Sequence, residues 1–326
     1  MGTAHTRVWE RGKMAEADFA VADISDWLAR SDTVIWVDYC DPTEAELTTV
    51  ADELGLHELA IEDALSPHQR PKTDRYDTHL FLSCHSVAID DESGELSVSE
   101  VDAFVGDRWL ITVHKRDGGF STDAIIGRWE RSPDLATNGV SFLLYGVLDV
   151  VVDTYFDTIS DFDDFYDQIS EGLFEDRPVE PSQQRHWFEM RRSLVHFHRL
   201  VVPMREAVSG LMRREHSAVT EGMYPYYQDV YDHILRVTES TDALRDLVGT
   251  IVETNLSLRD FRQNQVMKQV TSWAAIVAVP TLVTGFYGMN VPYPGFSSST
   301  GFWVSFVVIV AASAALYTLF RSKDWI

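Results

Sequence analysis

Residues 271–290 read TSWAAIVAVPTLVTGFYGMN and, after a short uncharged loop, residues 302–320 read FWVSFVVIVAASAALYTLF. Neither run holds a charged side chain, and the first ends in Tyr287-Gly288-Met289-Asn290. A helix over Phe302–Phe320 rises about 1.5 Å per residue and so nearly crosses a hydrocarbon core of about 30 Å. Two C-terminal transmembrane helices are therefore expected. Arg259, Arg262 and Lys268 precede the first, Arg321 and Lys323 follow the second, and Val291–Gly301 between them carries no charge. Positive residues stay inside, which places both termini in the cytoplasm of a multi-pass protein of the cell membrane, embedded in its lipid bilayer.

Overall composition dilutes this signal. Over 326 residues the apolar fraction is 45%, which alone would suit a soluble two-domain protein. Net charge is −24, which argues against a nucleic-acid partner and for a surface that attracts cations. The cysteines, Cys40 and Cys84, lie far apart and read as buried reduced thiols. The N-terminus has no apolar core of a signal peptide, and Gly2 with Thr6 is only a superficial myristoylation pattern.

Upstream, strands alternate with short helices. Thr33–Tyr39 is a β-branched, aromatic run ended by Asp41-Pro42. Thr43 and Glu46 form a capping-box pair opening a helix that runs to Gly55, and His57–Leu65 forms another before Pro67. Strands are expected at His79–Ile89, Ser97–Val105 and Trp109–Lys115, joined as an antiparallel meander by turns at Asp90–Gly94 and Gly106-Asp107. The first 138 residues thus read as an α/β domain. Residues 139–222 read as a helical hairpin. Its first arm is an acidic ridge, Asp149, Asp153, Asp157, Asp161, Asp163, Asp164, Asp167, Glu171 and Glu175. A break at Arg177-Pro178 and Pro181 separates it from an arm bearing Arg185, Arg191, Arg192, Arg199, Arg205, Arg213 and Arg214. Pairing of these opposite charges is one reading, and concentration of cations near a pore is another compatible with it.

From about Tyr226 to Pro280 nothing interrupts a helix, so a stalk at 223–269 continues into the first membrane span at 270–290. Val230, Ile234, Val237, Thr241, Leu244, Val248, Ile251, Asn255 and Leu258 alternate in steps of four and three, the coiled-coil period. Asp232, Glu239, Asp246, Glu253 and Asp260 recur every seven residues on another face. That face continues through Asn264, Met267, Thr271, Ala274, Ala278, Thr281, Gly285 and Gly288. A stripe acidic in water and small or mildly polar in the bilayer suits a pore, although small residues also make helix-packing faces. Two spans cannot enclose a tube, so the pore reading requires an oligomer. An external loop at 291–301, a second span at 302–320 and a tail at 321–326 complete the chain.

These residues resemble the CorA-type magnesium transporters over nearly the whole length. Tyr287-Gly288-Met289-Asn290 matches the family's Gly-Met-Asn signature. Ile61-Glu62-Asp63-Ala64-Leu65 with Gln69-Arg70-Pro71-Lys72 is similar to its cytoplasmic motif. Tyr227-Gln228-Asp229-Val230-Tyr231-Asp232-His233 is similar to its stalk motif, and Asn264-Gln265-Val266-Met267-Lys268 to its membrane entry. The resemblance implies a homopentameric channel, an α+β cytoplasmic domain in α/β/α layers, a pore-lining stalk helix and an outer second span. It implies that Gly288, Met289 and Asn290 form the selectivity filter, that Asn264, Met267, Thr271 and Thr281 line the path, and that Met267 contributes to an apolar gate. It further implies that Mg²⁺ is both cargo and regulator, with Asp229 and Asp90 as bridging intracellular ligands. Mg²⁺ gives up water reluctantly, which suits amide and carbonyl oxygens that hold the hydrated ion. The sparse basic tail and acid-free external loop depart from the family's usual pattern.

No Walker loop, GxGxxG or HExxH is present, so neither a nucleotide partner nor enzymatic activity is expected. Two other readings stay open. One is a carrier of zinc or another transition metal, suggested by His186, His196 and His198. The other is a sensor or enzyme tethered by two spans.

Overall fold

The computed structural model describes residues 3–66, 69–90, 92–116, 120–172, 181–213, 218–289, 292 and 298–326. Two compact units emerge, Met1–Val248 and Gly249–Ile326.

In the first unit seven strands form one mixed sheet. They are β1 (Thr3–Glu10), β2 (Lys13–Ala17), β3 (Thr33–Cys40), β4 (Lys72–Arg75), β5 (Leu80–Ile89), β6 (Leu96–Val105) and β7 (Trp109–His114), in the order β2-β1-β3-β7-β6-β5-β4. The expected β5-β6-β7 meander is present, with Ser83 opposite Asp102 and Asp102 opposite Val113. Only β3 and β7 pair in parallel, Ile35 against Trp109.

The N-terminal hairpin is an addition to the sequence reading. Its two-residue turn puts Arg11 and Gly12 at φ of 52° and 75°, the left-handed region that lets a tight turn match the twist of its strands. A side chain at Gly12 would also press on the Thr137 backbone. Strand β2 is exposed along its whole length and β4 reads KTDR, so neither shows the apolar alternation that marks a half-buried strand.

Alternation across the pleat sends β residues into two cores. On one face Val8, Ile35, Val37, Tyr39, Phe81, Phe104, Ile111 and Val113 pack beneath α1 (Ile24–Leu28), α2 (Glu44–Leu54) and α3 (Glu58–Leu65). The capping box at the start of α2 is complete: Thr43 N–H donates to Glu46 Oε2 at 2.8 Å, and Glu46 N–H donates to Thr43 Oγ1 at 3.4 Å. The other face meets α4 (Thr122–Arg131), α5 (Val140–Gly172) and α6 (Pro181–Leu211). There Trp129 of α4 stands edge-on to Trp9 at 5.4 Å and to Trp36 at 4.8 Å. Gly146 of α5 makes room for its indole, since a Cβ there would overlap the ring. The α/β/α layering thus follows from two apolar faces of one sheet, each needing cover.

The acidic ridge on α5 is not uniformly solvated. Asp149 is buried and, with Asp153, binds Arg128 of α4. Asp149 and Asp153 thus pair with α4, because a buried carboxylate needs the nearest cation that packing supplies. Glu175, the Arg177-Pro178 break and Arg214 lie outside the described residues. Cys84 is buried with its thiol pKa pushed up by burial, Cys40 is only half-buried, and both are free.

Helix α7 runs from Tyr224 to Tyr287 and α8 from Ser299 to Ser322. Both contain stretches long and apolar enough to cross a membrane, and those stretches are almost wholly uncovered. Pro280 sits inside α7, where it removes one backbone donor, a defect that bilayer helices tolerate.

Candidate functional site

On α7 the coiled-coil stripe faces inward as far as Ile251, whereas Asn255 and Leu258 are only half-buried. Val230, Ile234, Val237, Thr241, Leu244, Val248 and Ile251 are buried. Thr241 joins an apolar row because its hydroxyl donates to the Val237 carbonyl at 2.6 Å, leaving no unpaired donor. The stalk motif divides by face. Tyr227 and Val230 are buried, and the Tyr227 hydroxyl donates to the Ser141 carbonyl at 2.9 Å. Asp229 and Asp232 are exposed.

The candidate pore residues share another condition. Asn264, Met267, Thr271, Ala278, Thr281, Gly285, Gly288 and Met289 are all exposed, as are Asp246, Glu253 and Asp260. From Asn264 to Gly288 the helix rises about 36 Å, enough to traverse a bilayer. Thr281 donates its hydroxyl to the Val277 carbonyl at 2.9 Å, so its oxygen can still accept a hydrogen bond from a passing water. No heavy atom lies within 4 Å of a Cβ built at Gly285. Gly288 N–H donates to the Thr284 carbonyl at 2.8 Å and ends the helical ladder. Asn290 and most of the loop 291–301 lie outside the described residues.

Asp90 closes the β5–β6 turn, accepting from the Ser93 amide and hydroxyl, both at 2.7 Å. Those bonds hold its carboxyl below the ordinary range. Asp229 lies 3.7 Å from His233 Nε2. Among the described residues no three His, Cys, Asp or Glu side chains gather to chelate an ion. His198 is engaged by Asp242 at 3.1 Å and Arg245 at 3.3 Å, and His186 packs edge-on against Phe165 at 5.0 Å.

The cytoplasmic motif has a structural explanation. Lys72 of β4 binds Asp63 of α3 at 2.6 Å and Asp74 at 2.9 Å, while Gln69 N–H donates to Glu100 Oε1 at 3.1 Å. These contacts fasten the α3–β4 corner to the sheet. Missed in the sequence was a buried polar network on the opposite face. Asp38 accepts from Thr112 at 2.5 Å and pairs with His114 at 3.1 Å, and Thr112 in turn accepts from the Trp36 indole at 2.9 Å. Burial alone would lower the His114 pKa, but Asp38 outweighs it and the pKa is raised. The parallel pairing of β3 with β7 brings these residues together, and no local pattern encodes that pairing.

A sheet domain leads into one very long helix, followed by a second apolar helix, and each of these helices holds a stretch long and apolar enough to cross a membrane. Residues 31–322 match the family described as CorA-like Mg2+ transporter protein. The chain belongs to that family, whose members are transporters and not enzymes. It is 27% identical over 314 residues to the cobalt/magnesium transport protein CorA of Thermotoga maritima, covering 95% of this chain and 89% of that one. Against the cobalt/magnesium transport protein CorA of Methanocaldococcus jannaschii the identity is 24% over 302 residues, covering 90% and 92%. The complete structure of the CorA magnesium transporter from Methanocaldococcus jannaschii superposes with a TM-score of 0.80 at 21% identity, covering 99% of this chain and 98% of that one.

Proposed function

We propose that five copies of this chain form a channel that admits hydrated Mg²⁺, with Co²⁺ and Ni²⁺ as further permeant ions, driven by the membrane potential. The observation that carries this reading is the uncharged, exposed row from Asn264 to Gly288 on one continuous helix. Residues 1–138 and 139–222 make the cytoplasmic domain, 223–269 the stalk, 270–290 and 302–320 the spans, 291–301 the external loop and 321–326 the tail, with both termini inside. Asp246, Glu253 and Asp260 gather cations in the stalk. Asn264, Met267, Thr271, Ala278, Thr281 and Gly285 line the path, with Met267 in the apolar gate. Gly288, Met289 and Asn290 hold the hydrated ion at the outer mouth. A divalent ion gains roughly 4.6 kcal/mol on crossing 100 mV into a negative interior, so no nucleotide is needed.

Intracellular Mg²⁺ closes the channel by bridging Asp229 of one subunit to Asp90 of the next. Empty, the two carboxylates repel; occupied, they cohere, so an ion favouring the closed state supplies feedback. The deciding experiment is tracer uptake by purified protein in liposomes under an inward-negative potential. Uptake of Mg²⁺ that Asn290→Ala abolishes is expected. Uptake of no divalent cation would overturn the reading, and uptake of Zn²⁺ alone would replace its ion.

A further inference from the structure

Behind the C-terminal end of α3 lies a cavity of about 150 Å³, bordered by Asp41, Ser66, Glu100, Asp102, His114 and Lys115 among others. Glu100 and Asp102 stand two residues apart on β6 and so share one face of the sheet. Asp102 is 3% exposed, and its Oδ1 has no hydrogen-bond partner. Ser83 lies directly across on β5. A carboxylate on the surface needs no partner beyond water, whereas one shut inside a sheet is costly unless something compensates it.

The neighbouring charges do not supply that compensation. Lys72 on β4 is already shared between Asp63 and Asp74. His114 on β7 is committed to Asp38, and Lys115 is exposed. Across β5, His85 is the strand partner of Glu100. Burial pushes the Asp102 carboxyl well up, Glu100 and then Asp63 add to the shift, and Ser83 and Lys72 oppose it. The side chain borders a cavity whose lining also includes Pro42, Ala64, Leu65 and Val113.

We propose that this cavity binds one partly hydrated divalent cation of the Mg²⁺ class in each chain, through the carboxylates of Asp102 and Glu100. Mg²⁺ keeps several of its waters and is commonly held by one or two carboxylates, so a cage of three protein ligands is not required. At about 30 Å³ per water the space accommodates roughly five waters, or an ion with most of its shell. Gln69 N–H on Glu100 Oε1 orients one ligand and ties the motif segment to the ion. The site lies within a single chain and uses neither Asp90 nor Asp229. It rests on the proposed transport only for the class of ion.

The test uses full-length protein in detergent with Asp90→Ala and Asp229→Ala already introduced, and Mn²⁺ as a paramagnetic substitute that oxygen ligands accept. One Mn²⁺ per chain, displaced by Mg²⁺, is expected. Asp102→Asn weakens binding by about tenfold or more, and Glu100→Gln weakens it too. Unchanged stoichiometry and affinity in Asp102→Asn overturn the proposal. If that variant loses its native oligomeric size, Asp102→Ser and Glu100→Gln are read by the same criteria. Uptake into liposomes is scored separately. Binding that depends on Asp102 without any uptake sinks the channel and leaves this site standing; uptake without such binding does the reverse.

Discussion

Asp38 and His114 show how a single pair ties stability to pH. Because the His114 pKa is raised above its ordinary 6.5, its contribution is complete below that value and is lost as pH rises through the elevated one. His79 works in the opposite sense. Burial, with His57 nearby, lowers its pKa to about 4, so its contribution is present above 6.5 and is lost as pH falls toward 4. Denaturation of the full-length protein across pH should therefore show both limbs, and His114→Gln should erase the alkaline one. Asp38→Ala leaves the buried imidazole without its partner and should cost about 3 kcal/mol. Equal stability of variant and parent at pH 6 would contradict the pairing. Gly146 is a second such residue: Gly146→Ala drives a methyl into the Trp129 ring and should cost about 1–3 kcal/mol by chemical denaturation.

At the level of elements, α7 carries two jobs on two faces. Its buried row anchors the stalk, so Ile234→Ala should cost about 2–4 kcal/mol in the first unit, where the side chain is fully enclosed. Its exposed row is proposed to face the ion. Gly285→Leu should stop uptake while leaving assembly intact, because among the described residues a Cβ there meets nothing within 4 Å beyond its own helical backbone. By contrast, Leu282→Phe, at an exposed apolar position off that row, should leave flux near the parent value. Block by both substitutions, or by neither, would remove the assignment of the row to the pore. The periodicities that distinguish these faces are legible without coordinates, since a helix converts spacing directly into direction. Helix α4 carries the same signal, with Ile125 and Trp129 four residues apart and both buried. Strands β2 and β4 offered no such handle.

For the whole molecule, the proposal requires a ring of subunits, and mass measurement in detergent should give five times the 37.0 kDa chain. A monomer or dimer would fit a tether better than a pore. The proposed closing by intracellular Mg²⁺ would likewise be a property of the ring. Asp90→Ala with Asp229→Ala should leave flux running at internal Mg²⁺ levels that silence the parent. Retained inhibition would move the regulatory ligands elsewhere.

The chain's linear pattern was sufficient for two long apolar C-terminal helices, the continuity of α7, its buried row as far as Ile251 and the family resemblance. Each of these depends on neighbours within a few turns, where chain geometry fixes which side chains share a face. Folding in three dimensions decided what spacing could not express. It set the seven-strand order with its single parallel contact, the N-terminal hairpin on the sheet edge and the capture of Asp149 by Arg128. It also set the enclosure of Asp102 beside a cavity. All four depend on residues distant in the chain meeting through space, and only the packing of both sheet faces brings them together.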